Sequence, residues 1–208
     1  MRDFMTISPV IPVLTIQQLE HAVPLAQALV RGGLSVLEVT LRTACALDAI
    51  RAMRAAVPDA IVGAGTLTRA RDFSDCAAAG AQFGVSPGLN KEIHQASLDA
   101  GLPLLPGVMT PTDIINAMEM GYEIVKLFPA QQAGGVSMLQ ALGGPFPTLK
   151  FCPTGGITAE TAPNFLALSN VVCVGGSWLT PKAALAAQNW EEVTRLARAA
   201  SELAPVRN

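Results

Sequence analysis

Val36-Leu37-Glu38-Val39-Thr40-Leu41-Arg42 alternates apolar and polar residues, between Ala-rich segments of helical period at 17–31 and 44–56. A period of two is the repeat of a β-strand, whose successive side chains leave on opposite faces. Leu37, Val39 and Leu41 therefore share one face, and Glu38, Thr40 and Arg42 share the other. The apolar face suits a layer between strand and helices, which turns the glutamate inward. In a sheet closed into a barrel, Glu38 would point into its interior.

The pattern repeats outward from there. Short apolar runs fall at 9–14, 36–41, 61–65, 82–86, 102–107, 124–128, 149–153 and 171–175. Helical segments follow them at 17–31, 44–56, 69–79, 90–100, 111–120, 136–142, 158–168 and 181–203. Thr110-Pro111 reads as N-cap and first-turn proline, and Gly32, Gly80, Gly101 and Gly121 stand where helices end in a left-handed residue. Eight strand–helix pairs in series, about 25 residues each, predict an α/β chain with parallel strands and helical crossovers. The expected architecture is a small single-domain (β/α)8 TIM barrel over residues 1–208. A doubly wound open sheet is the rival. It lacks support after the first strand, where Pro12-Val13-Leu14-Thr15 stands in place of a glycine-rich dinucleotide fingerprint.

Composition narrows the function classes. The chain has 208 residues, half of them hydrophobic and 14% charged, with a mean hydropathy of +0.40. Its longest apolar stretches are broken by Gly, Pro or charge before the ~18 residues a membrane span needs. Met1-Arg2-Asp3-Phe4-Met5 offers no apolar leader, so a cytoplasmic protein without an export signal is expected. A formal charge of -2 gives no basic surface for nucleic acid. Cys45, Cys76, Cys152 and Cys173 form no Cys-x-x-Cys pair and only two histidines accompany them. Neither a metal site nor a disulfide framework is expected, and reduced buried thiols are the default.

In a barrel of this kind the working residues lie at the carboxyl ends of the strands and in the loops beyond. Polar residues concentrate there. Gly63-Ala64-Gly65-Thr66 ends the third run, Ser86-Pro87-Gly88 the fourth, Pro153-Thr154-Gly155-Gly156-Ile157 the seventh and Val174-Gly175-Gly176-Ser177-Trp178 the eighth. Paired glycines after the last two strands are a phosphate-binding pattern, because bare backbone N–H groups can cradle an anion. A single Gly-Gly is more often a tight turn.

Lys126, in Ile124-Val125-Lys126-Leu127-Phe128-Pro129, is the most informative residue. Taken alone, a lysine at a strand end with its ammonium in water is the simpler reading. Parity, however, groups it with Ile124 and Phe128 on an inward face. Lys150 begins its strand, roughly 13 Å from the loop end at ~3.3 Å per residue, while Lys91 and Lys182 open helices and are expected in solvent. An inward lysine and an inward glutamate together make an amine nucleophile with a carboxylate acid/base, the pair that Schiff-base chemistry requires. The bland alternative for Glu38 is a structural ion pair with a neighbour such as Arg42.

These motifs resemble the class I 2-keto-3-deoxy-6-phosphogluconate (KDPG) aldolases, some of which also act as 4-hydroxy-2-oxoglutarate (KHG) aldolases. The likeness rests on Glu38-Val39-Thr40-Leu41-Arg42, Gly63-Ala64-Gly65-Thr66, Ser86-Pro87-Gly88, Lys126-Leu127-Phe128-Pro129-Ala130, Phe151-Cys152-Pro153-Thr154-Gly155-Gly156-Ile157 and Gly175-Gly176-Ser177-Trp178, over residues 10–196. The segment before Pro9 is shorter than the family's leading segment. The resemblance implies that Lys126 forms the imine, that Glu38 moves protons, and that Arg42 and Thr66 hold the pyruvyl carboxylate. It implies further that Thr154 lies near the aldehyde end, that Gly155, Gly156, Gly175, Gly176 and Ser177 hold phosphate, and that Pro87 and Phe128 line the pocket. It also implies no metal or other cofactor, a phosphorylated keto-acid substrate, a place in Entner–Doudoroff carbohydrate metabolism and a homotrimer.

Other functions are weighed against this one. A galactonate-series phospho-aldolase or a phosphate-free KHG enzyme would use the same lysine and glutamate. A sugar-phosphate isomerase or binding barrel would keep the glycine loops but has no need of Lys126 beside Glu38. A redox or metal role for Cys152 and Cys173 is disfavoured by their apolar neighbours. His21 and His94 fall on helical segments away from the strand ends, with His94 expected at the surface.

Overall fold

The computed structural model describes residues 1–203. A short helix α1 (Arg2–Met5) precedes β1 (Val10–Leu14), and a single 3-10 turn leads into α2 (Ala22–Arg31). There follow β2 (Val36–Thr40), α3 (Ala46–Ala56), β3 (Ile61–Gly65), α4 (Ala70–Ala78), β4 (Gly84–Val85), α5 (Lys91–Asp99), β5 (Leu104–Leu105) and β6 (Gly107–Val108). The chain continues through α6 (Pro111–Glu119), β7 (Ile124–Leu127), α7 (Gly135–Gly143), β8 (Lys150–Phe151), α8 (Ala162–Leu166), β9 (Val174–Gly176), α9 (Lys182–Ala186) and α10 (Trp190–Ser201). Every ladder is parallel, in a six-stranded stretch ordered β5-β4-β3-β2-β1-β9 and a three-stranded stretch ordered β6-β7-β8.

The expected α/β class is present and its parallel sheet is curled, but the ladders of the described residues run in those two stretches rather than in the one closed eight-stranded ring expected. Pro106 accounts for one division. It has no N–H to donate, so the apolar run at 102–107 splits into β5 and β6 around it.

Strand parity separates two apolar layers, as the alternation at 36–42 foretold. Leu37 and Val39 pack outward in a cluster shared with Leu25, Leu29, Ile50 and Met53 of the helices. On the other face Ile11, Val36, Val85, Leu105 and Ile124 meet in a second, inner cluster. Residues of β1, β2, β4, β5 and β7 can share one cluster only if the sheet curls around them. Met5 of α1 joins that cluster, and the Phe4 ring lies 5.8 Å from that of Phe83. The N-terminal turn, missing from the strand–helix alternation, thus plugs the inner layer.

Helix punctuation holds at most of the expected places. Thr110 caps α6: its hydroxyl accepts from Asp113 N–H at 3.2 Å, and Asp113 accepts in return from the Thr110 N–H. Burial alone would push the Asp113 carboxyl up. The hydrogen bonds from Thr110 and Met109 outweigh it and hold the group below its ordinary value. Gly80, Gly101 and Gly121 take positive φ as expected, but at the end of α2 that residue is Gly33, with φ +92°. Gly32 is right-handed and is needed for another reason, since a Cβ there would fall on Ala197 of α10. The segment at 181–203 is two helices, α9 and α10, parted where Gln188 turns left-handed and Asn189 caps α10 through the Glu192 N–H.

Candidate active site

Lys126 lies on β7 with its N–H held by Pro106 O at 2.8 Å. Its side chain runs inward, leaving the residue 5% exposed, and Nζ stands 3.4 Å from Glu38 Oε1 on β2. These strands are not neighbours in the sheet, so the contact crosses the interior. Glu38 is 3% exposed, and its carboxylate occupies the space that a side chain at position 65 would take: a Cβ on Gly65 would collide with it. The Phe128 ring centroid lies 5.2 Å from Nζ and walls the amine on the side toward the loops. Two ionisable groups enclosed this way hold each other in place, because either one alone would be a buried charge without a partner.

Arg42 is not the partner of Glu38, as the simpler alternative had it. Its Nε donates instead to Thr66 Oγ1 at 3.1 Å. Thr66 has φ +65°, a left-handed conformation that costs a β-branched residue on the order of 1–3 kcal/mol. That turn brings the hydroxyl to the guanidinium, whose N–H donors, fanned out in its plane, suit a carboxylate. Thr154 follows β8, buried, its hydroxyl donating to Cys152 O at 3.4 Å. A Cβ on Gly175 would strike that side chain, so this glycine makes room for Thr154.

These groups open into a cavity of about 110 Å³. Arg42, Lys126, Phe128 and Thr154 line it, with Thr15, Ser177, Gly155, Gly156 and Gly175. Gly155 and Gly156 take φ +105° and +74°, as only glycines do readily. No helix starts directly after them, since α8 begins at Ala162 and is a single short turn. Whatever binds there meets loop N–H groups rather than a helix terminus. A second cleft of about 710 Å³ adjoins through Val13, Thr15 and Ser177 and is lined further by His21, Gln17, Gln18 and Lys182.

The remaining expected residues lie close by in different roles. Pro87 is exposed and does not line the cavity; it backs onto β6, where a Cβ on Gly107 would meet its carbonyl. Gly176 belongs to β9, and its open face is covered by the Trp178 ring. Lys150 is occupied elsewhere, its Nζ donating to Ser169 O at 3.0 Å. His94, expected at the surface, is half-buried with Nδ1 2.9 Å from the hydroxyl of Tyr122. Cys76 and Cys173 are buried free thiols. Desolvation, aided by Asp72 and Asp75, pushes Cys76 up to about 12, and Cys173 is raised by its hydrogen bond with Cys152 and by burial. Both thus stay protonated as small apolar groups.

Two site residues went without a role in the sequence: Thr15 and Thr40. Thr40 donates to Leu14 O at 2.9 Å and meets the Thr15 hydroxyl at 3.0 Å. Parity with Glu38 marked Thr40, and parity with Ile11 and Val13 would have marked Thr15.

Known proteins resemble the chain over nearly its whole length. A family model described as KDPG and KHG aldolase matches residues 1–196. The KHG/KDPG aldolase of Escherichia coli strain K12 is 50% identical over 200 residues, covering 96% of this chain and 94% of its own. The 2-dehydro-3-deoxy-phosphogluconate aldolase of Dickeya dadantii is 50% identical over 198 residues, covering 95% and 93%. A crystal structure of KDPG aldolase from Legionella pneumophila, holding pyruvate as a covalent carbinolamine, superposes with a TM-score of 0.93 at 46% identity, covering 96% and 97%.

Proposed function

The chain belongs to the KDPG and KHG aldolase family, and from that membership we propose that it cleaves 2-keto-3-deoxy-6-phosphogluconate to pyruvate and glyceraldehyde 3-phosphate through an imine on Lys126. The observation that carries the chemistry is the buried contact of Lys126 Nζ with Glu38 Oε1 at the foot of the cavity. The amine adds to the C2 ketone, giving a carbinolamine, and loss of water leaves a protonated imine. Glu38 takes the proton of the C4 hydroxyl as the C3–C4 bond breaks, and the bonding pair moves into the iminium. Glyceraldehyde 3-phosphate departs, the enamine is protonated at C3, and hydrolysis frees pyruvate and the amine. No metal is needed for this route, because the iminium nitrogen is the electron sink.

Arg42 and Thr66 hold the C1 carboxylate, Thr154 stands toward the C4 hydroxyl, and Gly155, Gly156, Gly175 and Ser177 receive the phosphate. Phe128 lines the pocket. A carboxylate hydrogen-bonded to a guanidinium contributes about 1.5–3 kcal/mol. Arg42→Ala should therefore lower kcat/KM for KDPG by roughly 10- to 100-fold, mostly through KM for the keto acid, in an assay of pyruvate release. Absence of pyruvate release from KDPG by the wild-type chain would refute the proposed reaction. A slower cleavage of KHG to pyruvate and glyoxylate fits the same site. A galactonate-series preference would appear as faster turnover of the C4 epimer. A non-catalytic binding barrel is disfavoured by enclosing an amine with a carboxylate, which costs stability and serves no binding role.

The same reading extends to architecture and setting. We take residues 1–208 as one domain whose sheet closes as a (β/α)8 barrel. In support, β5 and β6 are one run interrupted at Pro106, and Gly175 N donates to Pro153 O at 2.9 Å beside the bridge of Thr154 with Gly175. Family membership is the ground for placing the chain as a cytoplasmic enzyme of Entner–Doudoroff metabolism. Among the described residues no helix is long and apolar enough to cross a membrane. Leu98, Ile115 and Met118 lie exposed on α5 and α6, a surface suited to subunit contact. Light scattering should give a mass of about three chains for the proposed homotrimer; a mass of one chain would refute it.

A further inference from the structure

Thr15 stands at the end of β1, the strand between β2, which carries Glu38, and β9, which leads to Ser177. It lines both the catalytic cavity and the adjoining cleft. Its hydroxyl is 3.0 Å from that of Thr40, and the Thr40 hydroxyl is 2.9 Å from Leu14 O. A carbonyl oxygen can only accept, so the hydrogen of Thr40 is committed to Leu14. Thr40 must then accept in the contact with Thr15, and the hydrogen of Thr15 is committed in turn. What Thr15 presents to the cavity is an oxygen with free lone pairs and no hydrogen to give.

Such an oxygen is a poor neighbour for phosphate or carboxylate, which also offer lone pairs, and a good one for a hydroxyl group. Resting on the aldolase reading, the substrate has its C4 hydroxyl toward Glu38 and Thr154 and its phosphate toward Ser177. The C5 hydroxyl falls between them, beside β1. We infer that Thr15 is a specificity-determining residue, accepting the hydrogen of the C5 hydroxyl and so favouring a hydroxylated phospho-aldehyde over one bare at that carbon.

The test runs the reaction toward synthesis, adding pyruvate either to glyceraldehyde 3-phosphate or to 3-oxopropyl phosphate, which lacks only that hydroxyl. Thr15→Val should lower kcat/KM about tenfold for the first aldehyde and leave the second within about twofold. Thr15→Ser should behave as wild type with both. Reductive trapping of pyruvate on Thr15→Val, equal to wild type, shows an intact amine site. Equal losses with both aldehydes, or none with either, overturn the assignment. Should the valine variant not fold, equal kcat/KM of the wild-type protein for the two aldehydes overturns it as well. Wild-type protein that neither traps pyruvate nor consumes either aldehyde would instead bring down the aldolase reading itself.

Discussion

Lys126→Ala should end covalent capture of pyruvate by borohydride and lower KDPG cleavage on the order of 10⁵-fold, since the carbon–carbon bond then has no electron sink. The readout is the mass of the intact protein after reduction with pyruvate, followed by peptide mapping. Wild-type chain should gain one pyruvate-derived adduct at Lys126, and the variant none. No other amine of the site can take over. Lys150 is held by Ser169 O at the start of its strand. Lys182 lies across the adjoining cleft on a surface helix, with its side chain turned to solvent. Adduct formation on the alanine variant at the wild-type rate would place the nucleophile elsewhere. Lys126→Arg should be as inactive, because a guanidinium keeps its proton and cannot attack a ketone.

Glu38→Gln separates binding of the ketone from movement of protons. The amide has nearly the carboxylate's shape and fills the space left by Gly65, so the pocket keeps its form. Lys126 keeps its place and the variant should still trap pyruvate, though slowly. Turnover should fall by about 10²–10⁴-fold, the usual share of a general acid/base. Exchange of the pyruvate methyl hydrogens for deuterium, followed by NMR, should fall with it, because enamine formation needs the same base. Turnover within tenfold of wild type would mean that another group, or water alone, carries the proton.

Much of this site is legible from alternation alone. Once residues 36–42 are read as a strand with apolar residues toward helices, Glu38 must turn inward, and the same parity applied to 124–128 sends Lys126 to meet it. That they stand 3.4 Å apart depends on which strands face each other across the interior, which periodicity does not encode. Arg42 pairing with Thr66 rather than Glu38 follows from the left-handed turn at Thr66, a conformation that a threonine gives no reason to expect. In the fold, the break between α9 and α10 was hidden because Gln188 is neither Gly nor Pro. Gly32 was expected to take the left-handed turn, but α10 packs against it and Gly33 turns instead. Local propensity sees what a residue does to its own backbone, and these departures come from distant chain.

The inner face of β3 shows a related dependence. Gly63 leaves room for the Phe83 ring as Gly65 does for the Glu38 carboxylate, and Gly175 does the same for Thr154. Each of these bare positions is a mould whose cast is another residue's side chain. Inheritance at such places acts on couples: a methyl gained at 65 collides with the Glu38 carboxylate, and one gained at 175 collides with Thr154. Anyone reshaping this enzyme for a bulkier aldehyde has fewer independent choices than the count of lining residues suggests.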